Sequence, residues 1–249
     1  MRRREFVTLA GSAAAMWPLA ARAQQAKLPK LGILLVGNRE PFSKLFWEGL
    51  HQFGYIDGQN ILVEFRSAEG KLNLLPDLAA ELVRLKVDII VASETPSVQA
   101  AKRATSEIPI VMAPSGDPVG TGLVASLARP GGNVTGLSAA TAELAGKSLE
   151  LIREIIPAAS RVAALADPTN AFTKPFLEQI NLAAQTVGIA IQAVMVRGTE
   201  EFGAAFEELS RMRIEAVIVQ PTLPRAPIVE LVQKHRIPAV SGNRAFADA

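Results

Sequence analysis

The chain has no cysteine, two histidines and one tyrosine in 249 residues. Without cysteine there is no disulfide framework, no thiolate nucleophile, no lipid-bearing cysteine and no cysteine-type zinc site. With His51 and His235 alone, a histidine-rich metal site or a histidine-based triad has little material to work with. His235, in "VQKHRIP" at an expected helix end, suits the helix dipole, and His51 suits a helix surface. No motif calls for a cofactor. The serine elbow G-x-S-x-G and the metalloprotease pattern H-E-x-x-H are both missing.

Charge of one sign is also lacking. The whole chain carries +2, but Arg2, Arg3, Arg4, Arg22 and Glu5 all sit in the first 23 residues, and the remainder holds 22 basic against 23 acidic residues. A chain so balanced makes no electrostatic case for nucleic acid. Residues 1–23 have the three-part grammar of an export signal: "RRREF", an Ala-rich uncharged run, and Ala21-Arg22-Ala23 as the cleavage site. Arg3-Arg4-Glu5-Phe6-Val7 also fits the twin-arginine pattern. The run is short and Gly/Ala-rich for an anchor, which needs about 20 strongly apolar residues. The expected location is the periplasm.

What the chain does have is apolar residues, 49% of the total, arranged in short β-rich runs that alternate with segments of helical period. "LGILLVG", "ILVEFR", "DIIVAS" and "IPIVMAP" are apolar along their length, as strands covered on both faces must be. Helical segments "FSKLFWEGLHQFG", "LLPDLAAELVRLK" and "PSVQAAKRATSE" separate them. After "GGNVTGLS" a second series follows, from "AELAGKSLELIREII" to "IPAV". The stretches 87–111 and 214–240 match in kind: an acidic residue, a strand, a Pro-started helix, then Ile-Pro opening the next strand. The fold class is therefore α/β, with two Rossmann-like lobes of parallel sheet, 24–137 and 138–249, joined near Gly136 to Ala140.

Parallel sheets place their sites at the carboxyl ends of the strands, so the post-strand loops face a shared cleft. In the first lobe these loops carry Asn38, Arg39 and Glu40, then Glu94, Thr95 and Pro96, then Ser115, Asp117 and Pro118. In the second they carry Asn170, Gln220 and the stretch from Ser241. Thr95 before Pro96 and Asp117 before Pro118 also read as caps of following helices. The loop "SGDPVGTG" is not a phosphate cradle: it follows the wrong strand, lacks the Gly-Lys-Ser/Thr of a P-loop, and Asp117 would repel phosphate. A helix N-terminus for a carboxylate and Asp117 for an ammonium would together suit a zwitterion such as an amino acid. Phe42, Phe46, Trp47 and Tyr55 are candidates for a pocket wall or, at that spacing, for helix core.

Three stretches, "EPFSKLFWEGLHQFGYIDGQNILVEFR", "ETPSVQAAKRATSEIPIVMAPSGDPVGTGLVASLARPGGNVTGLS" and "KHRIPAVSGNRAFADA", resemble the extracytoplasmic substrate-binding proteins of bacterial ABC importers, in the group related to tryptophan and other amino-acid binders. The resemblance implies a periplasmic-binding-protein type I fold, monomeric, that closes on a small ligand, docks on a membrane permease and performs no catalysis. It implies ligand contacts from Asn38 to Glu40, Thr95, Pro96, Asp117, Pro118, Asn170 and Gln220. Glu94 departs from it, since a small residue is expected before Thr-Pro. So does the end at "RAFADA", after which relatives of this kind continue with a strand returning to the first lobe. Two other readings keep their place: a periplasmic sensing partner of a membrane receptor, and an exported α/β enzyme using Glu94 and Asp117 as cleft carboxylates.

Overall fold

A computed structural model describes residues 28–38, 42–139, 141–242 and 246–247. The expected export signal, Arg39 and Glu40 lie outside the described residues. The first series runs β1 (Lys30–Leu35), α1 (Phe42–Gln52), β2 (Leu62–Ser67), α2 (Leu75–Arg84), β3 (Ile89–Ala92), α3 (Thr95–Ala104), β4 (Ile110–Ser115) and β5 (Val134–Ser138). The second runs α4 (Thr141–Ile155), β6 (Arg161–Ala166), α5 (Thr173–Val187), β7 (Ala190–Met195), α6 (Phe202–Arg211), β8 (Ala216–Val219), α7 (Arg225–His235) and β9 (Ala239–Ser241).

All strands pair in parallel, in the orders β2-β1-β3-β4-β5 and β7-β6-β8-β9. The first four strands of each sheet thus share one topology, and the internal match in the sequence falls on β3–α3–β4 and β8–α7–β9. The repeated acidic residue has the same task in both. Asp88 accepts the Lys30 backbone N–H at 2.7 Å, and Glu215 accepts those of Ser160 and Arg161 at 2.7 and 2.8 Å. Each carboxylate ties the start of one strand to the start of its neighbour. The bonds from Ser160 and Arg161 hold the Glu215 carboxyl below the usual range.

The apolar strands are two-faced because side chains alternate along a strand. Leu31, Ile33 and Leu35 pack with Phe42, Phe46 and Leu50 of α1, while Leu34 and Val36 pack with Leu75 and Leu82 of α2 and Val98 of α3. In the second sheet Val162, Ala164 and Ala166 meet Leu149, Phe176 and Ile180 of α4 and α5; Ala163 and Leu165 meet Phe202, Phe206 and Ile228 of α6 and α7. Helix ends follow local chemistry: Gly188 takes the left-handed C-cap of α5 at φ 69°.

"GGNVTGLS", read from the sequence as the junction, contributes β5 to the first sheet, and the chain leaves that sheet between Ser138 and Thr141. A glycine is needed inside this strand. Gly136 has φ 126°, and a Cβ there would come within 2.4 Å of the Met112 carbonyl oxygen on β4.

Candidate functional site

In each sheet the strand order reverses beside the first strand, between β1 and β3 and between β6 and β8, so the loops after β3 and β8 sit at the switch points. The loop after β3 is fixed by hydrogen bonds. Ser93 N–H donates to Leu34 O at 3.2 Å and Glu94 N–H to Pro114 O at 2.8 Å. The Ser97 hydroxyl donates to the carbonyls of Ser93 and Glu94. The buried Thr95 hydroxyl lies 3.0 Å from Ser115 Oγ and 3.1 Å from the Gly116 carbonyl it donates to.

The facing loops are built with equal care. Asp167 N–H donates to Gln220 Oε1 at 2.8 Å, and Gln220 Nε2 donates to Thr173 Oγ1 at 3.0 Å. Asn170 Nδ2 donates to Thr222 Oγ1, and Asn170 Oδ1 accepts the Phe172 N–H, both at 2.9 Å. These bonds aim the Phe172 ring across to the first sheet. A Cβ on Gly116 would meet Phe172 Cε2 at 2.9 Å and Thr141 Oγ1 at 2.5 Å, so only glycine permits this approach.

Between the two sets of loops lies a cavity of about 360 Å³. Its lining draws on both sheets: Ser93, Glu94, Thr95, Pro114 and Gly116 from the first, Phe172, Pro221, Thr222 and Gly242 from the second, with Ala139 and Thr141 at the crossing. The floor is short hydroxyls and small residues, and Phe172 supplies the apolar wall. Glu94 is the one ionisable group among these residues.

Glu94 is held in a conformation that suits glycine, φ 68° and ψ 152°, at the N-cap of α3. Its Oε2 is shut off from solvent and has no hydrogen-bond partner. Burial pushes its carboxyl from the ordinary 4.5 up to about 7, with Arg225 at the start of α7 pulling partly back.

The other expected site residues take varied places. Thr95 lines the cavity, and Ser115, buried, stands directly behind it. Asn170 and Gln220 are buried and spend their polar groups on the second sheet's loops. Pro96 lines a different groove of about 450 Å³, with Gln99 and Arg103. Asn38 is exposed and Pro118 buried.

Two capping expectations are corrected. Thr95 is the first residue of α3 rather than its cap, because its hydroxyl is drawn across to Ser115 and Gly116. Asp117-Pro118 opens a turn, not a helix: Asp117, at φ 33°, accepts the Gly120 N–H on Oδ1 at 2.9 Å. The aromatic candidates are also placed elsewhere, since Phe42 and Phe46 stack at 5.3 Å in the core beneath β1. The wall residue Phe172 was missed. Its signal was its position five residues beyond Asp167, in a post-strand loop.

Two parallel α/β layers turn their switch-point loops onto one cavity. The chain belongs to the ABC transporter substrate binding protein family, whose pattern matches residues 41–247. It is 32% identical over 205 residues, 80% of this chain, to a tyrosine-binding protein of Clostridioides difficile, and spans 58% of the length of that relative. Among solved structures it superposes on a conserved domain protein of Vibrio cholerae with a TM-score of 0.82 at 24% identity, covering 89% of this chain and 76% of that one. A Streptococcus pneumonia ABC domain in complex with L-Trp gives 0.79 at 26% identity over the same shares. No helix among the described residues is long and apolar enough to cross a membrane.

Proposed function

We propose that this chain is an extracytoplasmic solute receptor that takes one small ligand, an amino acid or a related compound, between its two sheets and presents it to the membrane permease of an ABC importer. The observation that carries the reading is the cavity of about 360 Å³ lined by post-strand loops of both sheets. A ligand there touches both halves at once, and a ligand that binds one arrangement better than another shifts the population toward it. No chemistry on the ligand is required. Thr95 and Glu94 are the first-sheet contacts and Phe172 and Thr222 those of the second. Ser115, Asn170 and Gln220 are the framework that positions them.

The amino-acid class draws support from the relatives that bind tyrosine and tryptophan. The protein works as a monomer outside the cytoplasm; this needs export, by the twin-arginine route or by ordinary secretion. A thermal-shift panel of amino acids, nucleosides and small carboxylates tests the reading. A rise in melting temperature confined to one ligand class is expected, because a ligand that binds only the folded state stabilises it. A flat response across the panel, from protein that melts cooperatively, overturns it.

A further inference from the structure

Resting on the receptor reading, the geometry of the β3–α3 loop carries the ligand class further. Glu94 costs the fold twice: it occupies a backbone conformation that glycine adopts without strain, and it leaves Oε2 buried and unpaired. Neither cost is relieved from within. The Glu94 N–H is committed to Pro114 O, which holds the residue in place, and among the described residues no ion pair joins its carboxyl to Arg225. Glu94 lines the cavity, and a donor that enters there can pair with its carboxyl. Among the described residues the lining offers no cation and no second carboxylate, so a positive donor gains most there and an anion loses most.

We propose that Glu94 is the recognition carboxyl of this cleft, holding the ammonium group of a small amine or amino acid whose apolar body lies against Phe172. The helices α3 and α4 begin at the cavity-lining Thr95 and Thr141, and the positive ends of their dipoles favour the carboxylate of a zwitterion. A simple carboxylic acid, lacking the ammonium, meets Glu94 as a repulsive neighbour. A proton is linked to the event. With its carboxyl pushed up to about 7, Glu94 is partly protonated at neutral pH, and an arriving ammonium ionises it and releases that proton. Among the described residues Arg225 of α7 acts on Glu94 through its charge, and the other lining residues, from α3, β4, α4 and the loops after β3, β4, β5, β6, β8 and β9, are uncharged.

The test is calorimetric titration of the full chain with L-phenylalanine, phenethylamine and 3-phenylpropionate, for wild type, Glu94→Gln and Glu94→Gly. Expected are binding of the two ammonium compounds, at least tenfold weaker or no binding of 3-phenylpropionate, and at least tenfold loss of both amines in each variant. Proton release from the wild type, read in buffers of different ionisation enthalpy, should vanish in Glu94→Gln. Glu94→Gly relaxes the backbone, so its lost affinity cannot be laid to misfolding if its melting temperature is at least that of wild type. Amine binding unchanged in Glu94→Gln overturns the proposal. So does 3-phenylpropionate binding as tightly as phenethylamine, an outcome that leaves the receptor reading standing. Failure of all three probes also overturns it, while the wider thermal-shift panel decides the receptor reading separately.

Discussion

The α-carbon of Gly116, at the end of β4, faces the ring of Phe172, at the start of α5, so closely that one added methyl group would come within 2.9 Å of Cε2. This approach brings the two sheets together at the cavity. Gly116→Ala must push Phe172 or Thr141 aside, and overpacking of this kind costs about 1–3 kcal/mol. Denaturant unfolding should show that loss, and any ligand of the cleft should bind more weakly.

Removing the wall has the opposite geometry and a larger cost. Phe172 is buried and its ring also lies 6.0 Å from that of Phe176. Phe172→Ala should destabilise by about 3–5 kcal/mol. An affinity loss for apolar ligands greater than for small polar ones, measured under conditions where the variant stays folded, would place the ring against the ligand body.

The two perturbed carboxyls should give pH effects of opposite sign. Glu94, raised to about 7, binds its proton more tightly in the folded state, so stability falls as pH rises from about 4.5 to 7. The full effect is at most about 3 kcal/mol, taking 1.36 kcal/mol for each pH unit. Glu94→Gln should flatten that slope in urea titrations across the window. A slope unchanged in the variant would assign the effect elsewhere.

Glu215 is lowered by the N–H bonds of Ser160 and Arg161, so its contribution is present above the ordinary carboxylate range and is lost as pH falls through its depressed value. Glu215→Gln should lower the melting temperature at pH 7 and converge on wild type in acid. The convergence is the checkable feature.

The buried amide of Gln220 accepts the Asp167 N–H and donates to Thr173. Gln220→Ala leaves a buried donor unpaired, at a cost of about 1–3 kcal/mol. Chemical denaturation measures it.

The sheets were legible in the sequence because each strand buried on two faces is a short unbroken apolar run, and "DIIVAS" and "AVIVQ" have few other uses. β5 was not, because "VTGLS" is mostly exposed and interrupted by a glycine whose reason is the Met112 backbone on the neighbouring strand. The loops of the cleft were legible from topology alone. Which side chains face the cavity was not: Asn170 and Gln220 look like ligand contacts in a linear reading, yet their polar atoms are used in holding the second sheet's loops. Glu94 stood out as the wrong size for its place before Thr-Pro, and the structure gives the reason, a backbone geometry fit for glycine.

The central claim is that the cavity between the sheets binds a small amine-bearing solute and returns it unchanged. Calorimetric titration of the full chain with L-tyrosine and L-tryptophan, followed by mass spectrometry of the recovered ligand, addresses it directly. The account predicts saturable binding of at least one of them with one site per chain, weakened in Gly116→Ala, and ligand recovered intact. Heat that does not saturate for either, or a ligand recovered as a different compound, would contradict it.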